Sequence, residues 1–142
     1  MKILISESNR DIRKLYEVIL HPFQAEITFT DNAQEAEHHT AHTRYDLVFL
    51  ELGYPNPDGI QAAKSLRKKH PHQPLVLVSS IPISESETTL LTNNPFIAIL
   101  MKPFDIGGMK NLIRKHAGFH KPSVIREISQ SHPSRLALNV AV

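Results

Sequence analysis

Short apolar runs alternate with longer, partly polar segments along this chain, and the alternation repeats five times. The runs fall at residues 3–5, 25–29, 47–50, 75–78 and 96–101. Their length and largely continuous apolar character predict strands covered on both faces. In the second run, Ile27 and Phe29 share one side. The segments between the runs carry helical periodicity. Ile12, Leu15, Tyr16 and Ile19 recur at i, i+3, i+4 and i+7, which is one face of a helix. Ser8, with Asp11 three residues on, predicts the N-cap of that helix, and His21-Pro22 predicts its end at about Leu20. Asp31 predicts the cap of a second helix reaching about His39, with Ala33 and Ala36 as its small apolar contacts. A third helix is predicted from about Gly59 to Lys69, turning Ile60, Ala63 and Leu66 inward. Ser84 and Glu87 have the spacing of a capping box for a short fourth helix ending near Thr92, and Asn93-Asn94-Pro95 is a turn. Pro103-Phe104-Asp105 opens a last helix with Met109, Leu112, Ile113 and His116 on one face.

Strands and helices in strict alternation predict a parallel sheet covered on both sides, and right-handed crossovers limit its topology. Residues 118–142 differ in character. Gly118 marks a helix end; Ser, His and Pro follow, then the apolar stretch from Leu136 to Val142. This tail is expected to be flexible or a docking segment that adds to a sheet edge. The division is therefore a domain over 1–117 and a tail over 118–142.

Composition narrows the function. A chain of 142 residues supports one domain with a core. A formal net charge of +2 makes nucleic acid an unlikely partner and gives no membrane signal. The absence of cysteine excludes disulfides, thiol nucleophiles and thiolate metal sites. No apolar run has the length of a membrane span or a signal peptide, so a cytoplasmic location is expected. His38, His39 and His42 cluster near the end of the second helix, where His38 and His42 could share a face for a metal, although solvated histidines are the commoner outcome. Lys64, Arg67, Lys68 and Lys69 read as a solvated basic face.

The candidate chemistry begins at Glu51, an acid at the end of the third run, where open α/β sheets carry their sites. A loop follows with Pro55, Asp58 and Gly59; Ser79 and Ser80 end the fourth run; Lys102-Pro103-Phe104 ends the fifth. In this order and on these elements, the motifs resemble the response-regulator receiver family over roughly residues 1–117. The resemblance implies a flavodoxin-like (βα)5 doubly wound parallel sheet with strand order 2-1-3-4-5. It also implies a site of two acids after the first strand that bind Mg²⁺, an acceptor Asp, a hydroxyl and a lysine. Those positions fall at Ser6 and Glu7, Glu51, Ser79 and Lys102. The family's aromatic switch position falls at Ile99, and the Lys102–Pro103 bond is expected to be cis.

The departures from the pattern shape the functional expectation. Glu51 reaches about 1.5 Å further than the family's Asp, and a misplacement of about 1 Å in a preorganised site costs on the order of 10²-fold. Ser6 lacks a carboxylate, so Mg²⁺ binding is expected to be weakened and no cofactor is expected. The chain is expected to be a stand-alone pseudo-receiver: not an enzyme, but a phosphorylation-independent protein-interaction module in signal transduction. Glu51 is then either a permanent stand-in for a phosphorylated Asp or the acid of a structural ion pair with Lys102, and its carboxylate could also reach Ser79. By resemblance, the working surface is about residues 84–116, for a histidine kinase, another regulator or a second copy. Two alternatives stay open: a working receiver accepting a phosphoryl group from a histidine kinase, and a nucleic-acid-binding regulator using the basic stretch or the tail.

Overall fold

The computed structural model describes residues 1–52, 59–102 and 105–117, with only the backbone at 90–92, 116 and 117. Its elements run β1 (Lys2–Ser6), α1 (Arg10–Leu20), a 3-10 turn (His21–Phe23), β2 (Glu26–Thr30), α2 (Ala33–His42), β3 (Leu47–Leu52), α3 (Gly59–Lys69), β4 (Leu75–Ser79), α4 (Glu85–Thr92), β5 (Ile97–Met101) and α5 (Ile106–Ala117). The strands form one sheet in the order β2-β1-β3-β4-β5, and every pairing is parallel. This is the flavodoxin-like doubly wound architecture expected. The tail 118–142, the loop residues Pro55 and Asp58, the Lys102–Pro103 bond and the His116 side chain lie outside the described residues.

Several boundaries differ from the sequence expectation by a residue or more. The cap of α1 is Asn9, not Ser8: its Oδ1 accepts from the backbone N–H groups of Asp11 at 2.9 Å and Ile12 at 3.2 Å. Asn32, not Asp31, caps α2, accepting from the Glu35 N–H at 2.8 Å. The Asp31 carboxylate is instead engaged by Arg13 at 2.7 Å. Helix α2 continues to His42, because the Thr43 N–H still reaches the His39 carbonyl at 2.9 Å. The capping box of α4 is present, with Ser84 Oγ accepting from the Glu87 N–H at 3.2 Å and donating to its carboxylate at 2.9 Å. Strand β3 extends to Leu52, and all six of its residues are buried. Glu51 is therefore inside the strand rather than beyond it.

Strand alternation sorts the core into two layers. Ile3, Ile5, Phe49, Val76, Val78 and Leu100 pack with Tyr16 and Ile19 of α1 and with Met109 and Ile113 of α5. Leu4, Val48, Leu50, Leu75 and Leu77 pack on the other side with Ala36 of α2 and with Ala63 and Leu66 of α3. Continuing the two-residue step from Ile5, Phe49 and Leu100 brings Glu7, Glu51 and Lys102 to one face, at the C-terminal end of the sheet. The opposite parity assigns Ser6, Ser79 and Ile99 to the other face.

Gly59 lets α3 start hard against β3. A Cβ there would lie 2.5 Å from the Glu51 carbonyl oxygen and 2.8 Å from Leu52 Cδ2.

Candidate functional site

Glu7 is fixed by backbone contacts before its carboxylate is considered. Its N–H donates to the Thr30 carbonyl at 3.0 Å, and its own carbonyl accepts from Arg13 Nε. Arg13 also reaches Asp31 and lies 5.1 Å from the Phe29 ring centroid, tying the β1–α1 connection to the β2–α2 connection. Lys102 is fixed in the same way, its N–H donating to the Ser79 carbonyl at 2.8 Å. The three side chains then meet. Lys102 Nζ donates to Glu7 Oε1 at 2.9 Å and to Glu51 Oε1 at 2.7 Å. Glu7 Oε2 accepts from the Asn9 N–H at 3.3 Å. Glu7 and Glu51 are 2% and 7% exposed, so this cluster is largely removed from water.

Two carboxylates against one ammonium leave a local charge of −1 if both acids ionise, in surroundings that disfavour any net charge. Burial accordingly raises the pKa of Glu51 above the ordinary 4.5; hydrogen bonding to Glu7 and its charge push the same way, against the opposing pull of Lys102. Burial opposes the charge on Lys102, but the Glu51 and Glu7 carboxylates outweigh it and hold its pKa above 10.5. Tyr16, whose ring meets Phe49 edge-on at 5.3 Å, has its pKa raised well above 10.0 by burial and by the charges of Glu7 and Glu51.

A pH prediction follows for Glu51. The folded state holds its proton more tightly than the unfolded chain does. The contribution is thus fully present below about 4.5 and is lost as pH rises through the raised folded-state value. Glu51→Gln keeps the shape and the hydrogen-bonding capacity without titrating. The stability of this variant relative to the parent should therefore grow as pH rises from about 4.5 toward neutrality. Urea midpoints across that range read the difference directly, and a gap that shrinks with pH would contradict the assignment.

The other predicted site residues are not part of the cluster. Ser79 Oγ donates to the Ile81 carbonyl at 2.7 Å and accepts from the Ile81 N–H at 3.2 Å, so it shapes the turn after β4. The contact between Glu51 and Lys102 is present as expected, while the Ser79 proton is committed to Ile81. Ser6 is buried on the far face with its Oγ unpartnered among the described residues. Ile99 packs half-buried against the α2–α3 layer. Tyr16 and Arg13 belong to the surroundings of the site, yet the sequence marked Tyr16 only as a core position and gave no signal for Arg13.

The histidines of α2 stay at the surface, with the rings of His38 and His42 4.8 Å apart. Among the described residues, no group of three or more His, Cys, Asp or Glu could hold a metal ion. At the end of α3, Lys69 pairs with Glu37 at 3.1 Å. Among the described residues, no helix is long and apolar enough to cross a membrane.

Comparison with known proteins places this geometry. The family model described as the response regulator receiver domain matches residues 3–114. The response regulator protein PilR of Pseudomonas aeruginosa is 24% identical over 144 residues, covering 97% of this chain and 32% of PilR. The transcriptional regulatory protein KdpE of Staphylococcus aureus is 29% identical over 133 residues, covering 92% of this chain and 52% of KdpE. The chain thus spans between about a third and a half of these relatives. Among solved structures, a Francisella response regulator receiver domain superposes with a TM-score of 0.72 at 21% identity, over 84% of this chain and 98% of that one. The receiver domain of a sensor histidine kinase from Pseudomonas aeruginosa, solved with a magnesium ion coordinated in its active site cleft, gives 0.69 at 18% identity, over 82% and 97%. At these identities the structural likeness establishes the fold.

Proposed function

The chain belongs to the response-regulator receiver family of two-component signal transduction, and from that premise we propose that it acts as a pseudo-receiver, a protein-interaction module that works without phosphoryl transfer. One observation carries this reading: the Lys102 ammonium bridges Glu7 and Glu51 at 2.9 and 2.7 Å. Receiver chemistry would need those carboxylates for a divalent cation and a phosphoryl group. Mg²⁺ demands a near-octahedral set of oxygen ligands. Here the two available carboxylates already hold an ammonium, and the remaining acid position is Ser6, a hydroxyl on the opposite face. Among the described residues, the ion would have to displace the Lys102 ammonium from both carboxylates.

Three further features support the same reading. Burial and the neighbouring Glu7 raise the pKa of Glu51, so at any given pH it carries less nucleophilic carboxylate than an ordinary acid would. The Ser79 hydroxyl is bonded within its own turn. The switch position is aliphatic at Ile99. The module then presents the surface around α4, β5 and α5, about residues 84–116, to a histidine kinase, another regulator or a second copy. Ile81, just before that span, and Ile106, within it, are 48% and 46% exposed and would serve as apolar anchors. In this reading the chain is not an enzyme, takes no cofactor and works in the cytoplasm.

The test is a titration of isotope-labelled protein with millimolar Mg²⁺ and then beryllofluoride, followed by amide NMR. The amides of Glu7, Glu51, Ser79 and Lys102 are expected to stay in place. Saturable shifts that spread into β5 and α4 would identify a working receiver and remove the proposal.

A further inference from the structure

We propose that a cleft at the other pole of the molecule binds a small phosphate-bearing anion. The cleft lies at the N-terminal edge of β3 and β4, whereas Glu51 and Lys102 lie at the C-terminal edge. It encloses about 460 Å³ and is lined by His42, Arg44, Tyr45, Lys69, His70 and His72 among others. This volume falls within the range of small-molecule sites. No carboxylate occurs among the lining residues, so the cleft offers donors of several kinds and no acidic competitor.

Two of these donors are uncommitted. Tyr45 is only 5% exposed, with its ring in the α2–α3 layer, and its hydroxyl has no hydrogen-bond partner among the described residues. The hydroxyl is not among the buried polar atoms left without a partner, so it opens onto the cleft it lines and can donate there. Arg44 likewise has no partner among the described residues. Helix termini account for Lys69 and His42, since cations favour helix C-terminal ends. They do not account for Arg44 and Tyr45, which follow the end of α2. Glu37 partly neutralises Lys69 from outside the cleft. Arg44 therefore supplies the principal free charge.

The walls are held in place. The His70 N–H donates to the Leu66 carbonyl at 2.7 Å, the Gln73 N–H to the His70 carbonyl at 3.0 Å, and the Val48 N–H to the Pro74 carbonyl at 3.0 Å. His72 stacks edge-on against Phe96 at 5.3 Å. A guanidinium fork, a phenol and imidazoles lining one cleft suit a tetrahedral oxyanion with several acceptors. The volume leaves room for an organic group attached to it.

Amide NMR of the labelled chain tests this with inorganic phosphate and with AMP, each against sodium chloride at matched ionic strength. Saturable shifts at residues 42–45 and 69–73 are expected. Tighter binding of AMP supports a phosphate ester as ligand, and equal binding supports the free anion. Arg44→Gln should weaken binding by about tenfold or more, the loss of a charged hydrogen bond. Tyr45→Phe, which removes only the hydroxyl, should weaken it by a smaller factor. Shifts that do not saturate, shifts matched by chloride, or affinity unchanged in both variants would overturn the proposal. The Glu51 and Lys102 amides report separately on the opposite pole.

Discussion

Replacing Lys102 with Met is expected to cost about 3–5 kcal/mol of folding stability at neutral pH, the loss seen when one partner of a buried ion pair is removed. Lys102 holds Glu7 and Glu51 together at 2.9 and 2.7 Å, and both acids are nearly enclosed. Without the ammonium, two carboxylates face each other with no countercharge in a poorly solvated pocket. At least one must take a proton or draw in water. The defect should therefore be greatest near neutrality and shrink as pH falls and the acids protonate. Such a loss is a large share of the roughly 5–15 kcal/mol that stabilises a domain. Chemical denaturation of the parent and variant at pH 7 and pH 4.5 measures both effects. Adding Glu7→Gln and Glu51→Gln to the Lys102→Met background should recover most of the stability, since a neutral cluster needs no counterion. A loss below about 1 kcal/mol at neutral pH, the range of exposed pairs, would show that the cluster is effectively solvated.

Gly59→Ala is expected to cost about 1–3 kcal/mol, the usual penalty of overpacking. The added methyl would lie 2.5 Å from the Glu51 carbonyl oxygen, 2.8 Å from Leu52 Cδ2 and 3.1 Å from Leu52 Cα. Two of these three neighbours are backbone atoms of a buried strand and cannot swing aside. Alanine is the better helix former by about 1 kcal/mol in a helix interior, but Gly59 is the first residue of α3, where that advantage is least felt. The helix start must move away from β3, or β3 must move with it. The second response would shift Glu51 relative to Lys102, so the Glu51 and Lys102 amides should change along with the denaturation midpoint. Unaltered stability together with unaltered amides would mean that the close approach of α3 to β3 does not exist in solution.

The architecture was readable because its causes are local and repeated. The apolar run at 47–50 could be little other than a central strand, and the helical spacing of Ile12, Tyr16 and Ile19 pointed to a core face that α1 indeed presents. Caps were misplaced by a residue because Ser8 and Asn9, and Asp31 and Asn32, are adjacent residues of nearly equal capping ability. Only the surrounding contacts choose between them: Asp31 is taken by Arg13, which leaves Asn32 to cap α2. The meeting of Glu51 with Lys102 was legible because Glu51 lies near the C-terminal end of β3 and Lys102 just past that of β5, the two strands that flank β4. That Glu7 joins them was implied by the resemblance, which put Glu7, Glu51 and Lys102 in one site; the sharing of one ammonium by both acids, at 2.9 and 2.7 Å, comes from the structure. The assignment of Ser79 to its own turn was hidden for a different reason. A hydroxyl bonds equally well to a nearby backbone group or a distant side chain, and the Ile81 backbone is closer at hand.

The single hydrogen bond from the Lys102 N–H to the Ser79 carbonyl has a mechanical meaning of its own. The sheet separates two populations of side chains, with the acids and the lysine beneath α1 and α5 and with Ser79 and Ile99 against the opposite layer. Side-chain rearrangement on one surface is shielded from the other by a rigid ply of strands. The peptide unit of Lys102 crosses that ply like a pin, because its side chain belongs to one surface and its backbone is fastened to the turn that shapes the other. That bond continues the β4–β5 ladder one step past the pairing of Ser79 with Met101, so the same main-chain link that holds the edge of the sheet also sets where the lysine side chain begins.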